Sequence, residues 1–190
     1  LPPARATRRL DGGGLDDVAA AFAQVIDAKS PYTAGHSERV AFYADLVAEE
    51  LGLDPVRRAW LRRAGLLHDI GKLGVSNTIL DKPGKLDEDE WRVMRNHSRD
   101  SERILSRIAA FDGLARVAGA HHERLDGKGY PHGLAGAAIG LDTRILSVAD
   151  VFDALTADRP YRAGMPVARA LDILRGDVGT ALDGDCVAAL

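Results

Sequence analysis

Leu66-Leu67-His68-Asp69-Ile70-Gly71-Lys72 closes an apolar pattern that opens at Asp54-Pro55, and it sets two ligand-type side chains next to each other where the pattern ends. Asp54 reads as an N-cap with proline at the first helical position, and Trp60, Leu61, Leu66 and Leu67 recur at helical spacing up to Gly71. The spacing predicts a helix over 54–71 with His68 and Asp69 in its last turn. Neighbouring side chains on a helix point about 100° apart, so such a pair can serve two metal ions. His121-His122 repeats the device at the end of an apolar pattern over 113–122, just before a glycine-rich loop over 126–140.

Other helices follow from the same periodicity. On the N-terminal side, Val18, Phe22, Val25 and Ile26 predict a helix over 15–28, stopped by Ser30-Pro31. A second over 35–51 would bury Val40, Phe42, Tyr43, Leu46, Val47 and Leu51, with Gly52 as its stop. Residues 74–86 read as irregular. Asp87 then caps a helix whose first turn holds Glu88, Asp89 and Glu90, where the macrodipole favours acids, and which carries Trp91, Met94 and His97. A short helix over 101–108 follows, and 145–156, 166–175 and 185–190 read as helices near the C-terminus. No stretch alternates like a half-buried strand. The expected fold class is all-α, with helices packed around one core.

The composition, 46% hydrophobic and 28% charged over 190 residues, suits one soluble domain with a filled core. A net charge of −3 excludes an overall basic field for DNA or other long nucleic acid. The single cysteine, Cys186, excludes an internal disulfide and a cysteine-cluster metal site, which makes an intracellular location the simpler reading. No window reaches the roughly 18 apolar residues of a membrane helix. Residues 1–14, rich in Pro, Arg and Gly, read as a linker from an N-terminal sensor or receiver module, leaving 15–190 as the domain.

The six histidines are His36, His68, His97, His121, His122 and His132. A lone histidine on a helix is more often a surface or core residue than a ligand; adjacency is what distinguishes these pairs. Imidazole and carboxylate without thiolate suit Fe, Mn, Zn or Ni, and a carboxylate can bridge two ions. Asp69 is the natural bridge, whereas His132 reads as a surface residue.

Taken in order, Gly35-His36-Ser37-Glu38-Arg39-Val40, the 64–72 stretch, His97, His121-His122-Glu123, Asp126-Gly127-Lys128-Gly129-Tyr130-Pro131 and the 149–162 segment resemble the HD-GYP family of the HD superfamily of metal-dependent phosphohydrolases. The resemblance spans about 15–190. It implies a single HD-type helical domain around a dinuclear site, with a glycine-rich GYP loop, in a cytoplasmic bacterial phosphodiesterase. The implied reaction hydrolyses cyclic di-GMP to pGpG or GMP by attack of a metal-bridging hydroxide. Carried over by position, His36, His68, Asp69 and Asp150 would hold one divalent ion and Asp69, His97, His121 and His122 the other. Fe or Mn come first, with Zn, Ni and Co compatible. Lys72 would reach a phosphate oxygen, or else cap the carbonyl end of its helix, while Asp153, Arg159 and Arg162 would contact substrate. Tyr130 could stack on a base or plug the loop against the core.

The chain departs from the family at Tyr32, where some members place the glutamate of a third metal, so two metals are expected. Ser98, Ser101, Ala138 and Gly140 also replace usual residues without removing a ligand. Two other readings stay open: a phosphodiesterase for a mixed GMP–AMP ring, and a catalytically weak module that senses cyclic di-GMP or docks a diguanylate cyclase through the 127–131 loop. A homodimer is also left open.

Overall fold

The computed structural model describes residues 12–31, 33–158 and 163–190. Its regular elements are helices: α1 (Gly12–Asp27), α2 (His36–Glu50), α3 (Pro55–Leu67), α4 (Asn77–Leu80), α5 (Glu88–Leu105), α6 (Asp112–Gly119), α7 (Leu141–Thr156), α8 (Val167–Gly176) and α9 (Gly184–Ala188). Among the described residues, extended chain pairs only as two isolated bridges, Asp126 with Ala135 and Val178 with Leu182. The all-α expectation holds. No described helix is long and apolar enough to cross a membrane.

The helix starts follow local chemistry. The Asp54 carboxylate accepts from the Val56 and Arg57 amides ahead of Pro55, and Asp87 with Glu90 forms a full capping box at α5. α1 starts earlier than expected, because Arg63 of α3 ion-pairs with Asp16 at 2.5 Å and donates to the Gly12 carbonyl at 3.2 Å, drawing the glycines into the first turn. Of the expected linker, residues 1–11 lie outside the described residues.

Tertiary packing corrects several boundaries. The helices expected around His97 and over 101–108 are one helix, α5, since nothing between them breaks the ladder and Ser98 and Ser101 are buried on it. Residues 74–86 contain the short α4, capped by Ser76. On α2 the buried face is Val40, Ala41, Ala44, Val47 and Ala48, and Phe42 is 57% exposed. Leu46 is exposed as well. The reason is close approach: a Cβ on Gly65 of α3 would lie 2.7 Å from Ala41 Cα, so α2 meets α3 backbone to backbone, where only small residues fit.

The core is formed by Leu61 and Leu67 of α3, Leu114 and Ala118 of α6, and Ile145, Leu146, Val148 and Ala149 of α7. α2 packs on both α3 and α7, and α5 packs on α6 and on a 3₁₀ turn, Ile70–Gly74, that follows α3. Gly71 makes the second contact possible. A Cβ there would fall on the His97 carbonyl, and its amide donates to Ser101 Oγ at 2.9 Å.

Candidate metal centre

His68 and Asp69 do not lie within a helical turn as expected: α3 ends at Leu67, His68 is its C-cap, and Asp69 opens the 3₁₀ turn. His121 and His122 likewise follow the end of α6. Both pairs thus sit where a helix yields to a turn, and the close approach of Gly71 to α5 pulls the chain off the helical path. The divergence of neighbouring side chains comes from the turn rather than from helical rotation.

Three of the imidazoles are oriented by one local device. His68 Nδ1 donates to the Gly65 carbonyl, His97 Nδ1 to Met94 and His121 Nδ1 to Ala118, each at 2.6 Å and each three residues back. A carbonyl can only accept, so the proton is on Nδ1 and Nε2 offers its lone pair. His36 is oriented differently: its Nδ1 donates to Asp153 Oδ2 at 2.7 Å, which turns Nε2 into the cluster.

The Nε2 atoms of these imidazoles converge on Asp69, which is buried. Its Oδ2 lies 3.4 Å from both His36 Nε2 and His68 Nε2, while Oδ1 lies 3.4 Å from His97 Nε2 and 3.9 Å from His121 Nε2. Each carboxylate oxygen therefore faces its own group of imidazoles. Asp150 spans similarly, with Oδ1 3.4 Å from His36 Nε2 and Oδ2 3.9 Å from His122 Nδ1. Ligand atoms of His36, His68 and Asp69, of His97, His121 and His122, and of His68, His121 and Asp150 each fall within 4.8 Å of one another. Among the described residues, Asp69 Oδ1 and His121 Nε2 are the buried side-chain atoms with no hydrogen-bond partner.

Unpaired buried polar atoms are costly, and a divalent cation is the group these donors fit. The electrostatics agree. Burial would raise the Asp69 carboxyl, yet Lys72, His68 and His36 hold it well below the usual range. Burial lowers His97, lowers His121 well below its ordinary value, and takes His122 to about 3, so all three are neutral donors at pH 7. His36 is opposite: against burial, Asp150, Asp153 and Asp69 raise it well above its ordinary value. That negative field is also what a cation requires.

Every expected ligand, His36, His68, Asp69, His97, His121, His122 and Asp150, is thus in one cluster. Lys72 Nζ sits 2.5 Å from Asp69 Oδ2 at the rim, rather than capping carbonyls. Asp153 is corrected: it is 1% exposed, and besides His36 it takes Arg39 Nε at 2.5 Å and Arg39 Nη2 at 3.1 Å, so both oxygens are engaged behind His36 instead of facing a substrate. Tyr130 stands over the cluster, its ring 4.7 Å from His122 and 6.5 Å from His97. His132 pairs with Glu102 at 2.9 Å outside the cluster. The expectations on Tyr32, Arg159 and Arg162 lie outside the described residues.

Sequence reasoning missed Glu123. Its buried carboxylate accepts from the His132, Gly133 and Leu134 amides at 2.6, 3.2 and 2.8 Å, fixing the glycine-rich loop. It also missed Ser147, whose hydroxyl donates to the His121 carbonyl at 2.6 Å. Glu123 directly follows the paired histidines, a signal that could have been weighed.

The chain resembles known proteins in both sequence and fold. An HD domain family model matches residues 20–186. The chain is 59% identical over 190 residues to a 3'3'-cGAMP-specific phosphodiesterase of Vibrio cholerae, covering 100% of this chain and 41% of that protein. It is 43% identical over 173 residues to a cyclic di-GMP phosphodiesterase response regulator of Xanthomonas campestris, covering 89% and 45%. The crystal structure of a cyclic GMP-AMP specific phosphodiesterase of V. cholerae superposes with a TM-score of 0.62 at 54% identity, covering 100% of this chain and 43% of that one. The chain therefore spans less than half the length of these relatives.

Proposed function

Because the chain belongs to the HD domain family, in its HD-GYP group, we propose that it is a metal-dependent phosphodiesterase that linearises a cyclic dinucleotide. The observation that carries this reading is Asp69, with one carboxylate oxygen toward His36 and His68 and the other, unpaired, toward His97 and His121. Two divalent cations would be held there, by His36, His68, Asp69 and Asp150 and by Asp69, His97, His121 and His122. Bound cations of this kind lower the pKa of a coordinated water and neutralise phosphate oxygens.

The chain's own groups supply the rest. Nδ1 hydrogen bonds to Gly65, Met94, Ala118 and Asp153 orient four imidazoles with Nε2 toward the centre. Lys72, at the rim and paired with Asp69, is placed to put an ammonium on a phosphate oxygen. Tyr130 offers an aromatic face beside His122.

Cyclic di-GMP was the first substrate suggested by the motifs. The 59% identity to a cGAMP-specific relative, against 43% to a cyclic di-GMP relative, favours the mixed GMP–AMP ring as the preferred substrate. The test is purified protein loaded with Mn or Fe and given each ring alone and in competition, with product analysis and metal analysis. Linearisation, about two ions per chain, and loss of both in a folded Asp69→Ala variant are expected. Failure to open either ring would overturn the reading.

A further inference from the structure

Beyond the histidine cluster, an open groove of about 550 Å³ runs between α5 and the glycine-rich loop, walled by Trp91, Arg95, Asn96, Arg99, Tyr130 and Pro131. That volume is within the roughly 300–1,000 Å³ of small-molecule sites. Trp91 and Arg95 are four residues apart and so share a helix face. The Arg95 guanidinium is 5.7 Å from the Trp91 ring and 5.4 Å from the Tyr130 ring. Tyr130 is in turn 4.7 Å from His122. Ring contacts thus lead without a break from the candidate metal ligands to Trp91.

The arginines of α5 are not equivalent here. Arg92 is paired with Asp89, and Arg99 donates to the Pro131 carbonyl at 3.1 Å, tying helix to loop. Arg95 has no hydrogen-bond or carboxylate partner among the described residues, so its donors are available inside the groove. Trp91 is 45% exposed, with a face open to solvent. An uncommitted guanidinium beside an open indole is the chemistry that takes a phosphate and a base together.

A cyclic dinucleotide with one phosphate at the metal centre must place its second nucleotide outside it. We propose that the groove between α5 and the 129–131 loop receives that distal nucleotide, with Trp91 stacking on its base and Arg95 contacting its phosphate. This rests on the cyclic dinucleotide reading above and adds residues that the motifs do not contain.

Trp60 and Trp91 are the two tryptophans, and Trp60 lies elsewhere, beside Arg57 and Gly113. In a Trp60→Phe background, Trp91 is therefore the sole indole reporter. Metal-loaded protein is titrated with a phosphorothioate-substituted 3'3'-cGAMP, a slowly cleaved probe, and read by fluorescence; affinities of the variants are taken by calorimetry. Saturable quenching is expected. Trp91→Ala should weaken binding about 5- to 100-fold, and Arg95→Ala about tenfold or more, raising KM with kcat nearly unchanged. Trp91→Phe should retain most of the affinity. No quenching, or unchanged affinity in both alanine variants while linearisation persists, overturns the subsite and leaves the proposed function standing. If metal-loaded wild type opens no cyclic dinucleotide, both fall.

Discussion

Asp153 is the residue whose role the fold changes most. It was expected to meet substrate, and instead it holds His36 Nδ1 at 2.7 Å while Arg39 neutralises it. Removing such an orienting carboxylate typically costs about 10–100-fold in metal affinity. Asp153→Asn should therefore raise the metal concentration needed for half-maximal activity by about that factor, with substrate KM unchanged once metal is saturating. A raised KM at unchanged metal affinity would restore the direct-contact role. The candidate ligands in the two adjacent pairs were legible because their residue types and adjacency announce metal chemistry, and the family resemblance added His36, His97 and Asp150. The 117-residue separation of His36 from Asp153 carries no such local signal.

Among the elements, the 3₁₀ turn after α3 is what brings Asp69 against α5. Gly71→Ala would drive a methyl into the His97 carbonyl and break the amide bond to Ser101 Oγ. Overpacking of this kind costs about 1–3 kcal/mol, and it moves Asp69 away from His97. A lower melting temperature together with less than the wild-type metal content is expected; a variant that matches wild type in both would refute this role. The glycine was read from sequence as a helix stop, since its contact partner lies on another helix.

α9 provides an element-scale test of electrostatics. Asp183 caps it, accepting from Asp185 N at 3.0 Å and Cys186 N at 3.1 Å, and pairs with Arg144 at 2.9 Å. Partial burial opposes ionisation, but the Cys186 amide and Arg144 lower its pKa below 3.8. A depressed folded pKa means stability that is present above the unfolded value and lost as pH falls through the folded one. Asp183→Ala should lose about 0.5–2 kcal/mol at pH 7. In chelated protein, the melting-temperature gap to wild type should close as pH drops below 3.8. A gap independent of pH would show that the carboxylate charge is not involved.

At the scale of the whole molecule, the ligands come from α2, the turn after α3, α5, the turn after α6, and α7, so bound ions would cross-link most of the bundle. Saturation at 100 times Kd stabilises by about 2.7 kcal/mol per site, and each kcal/mol is worth roughly 2–4 °C at this size. Chelation should therefore lower the melting temperature by roughly 5–10 °C or more, and Mn or Fe should restore it. A melting temperature indifferent to chelator would count against resident ions. By itself the sequence determined that the chain is all-α, where most helices begin, and that the adjacent pairs His68-Asp69 and His121-His122 are candidate metal ligands, because caps, apolar periods and ligand chemistry are local properties; His36, His97 and Asp150 joined them only through the family resemblance. Only the tertiary structure decided that Asp69 presents one oxygen to each imidazole group, that Asp153 stands behind His36, that small residues rather than Phe42 and Leu46 form the α2 interface, and that Arg95 and Trp91 face the Tyr130 loop. Those facts depend on how closely backbones approach across the bundle, which Gly65 and Gly71 permit and no single helix encodes.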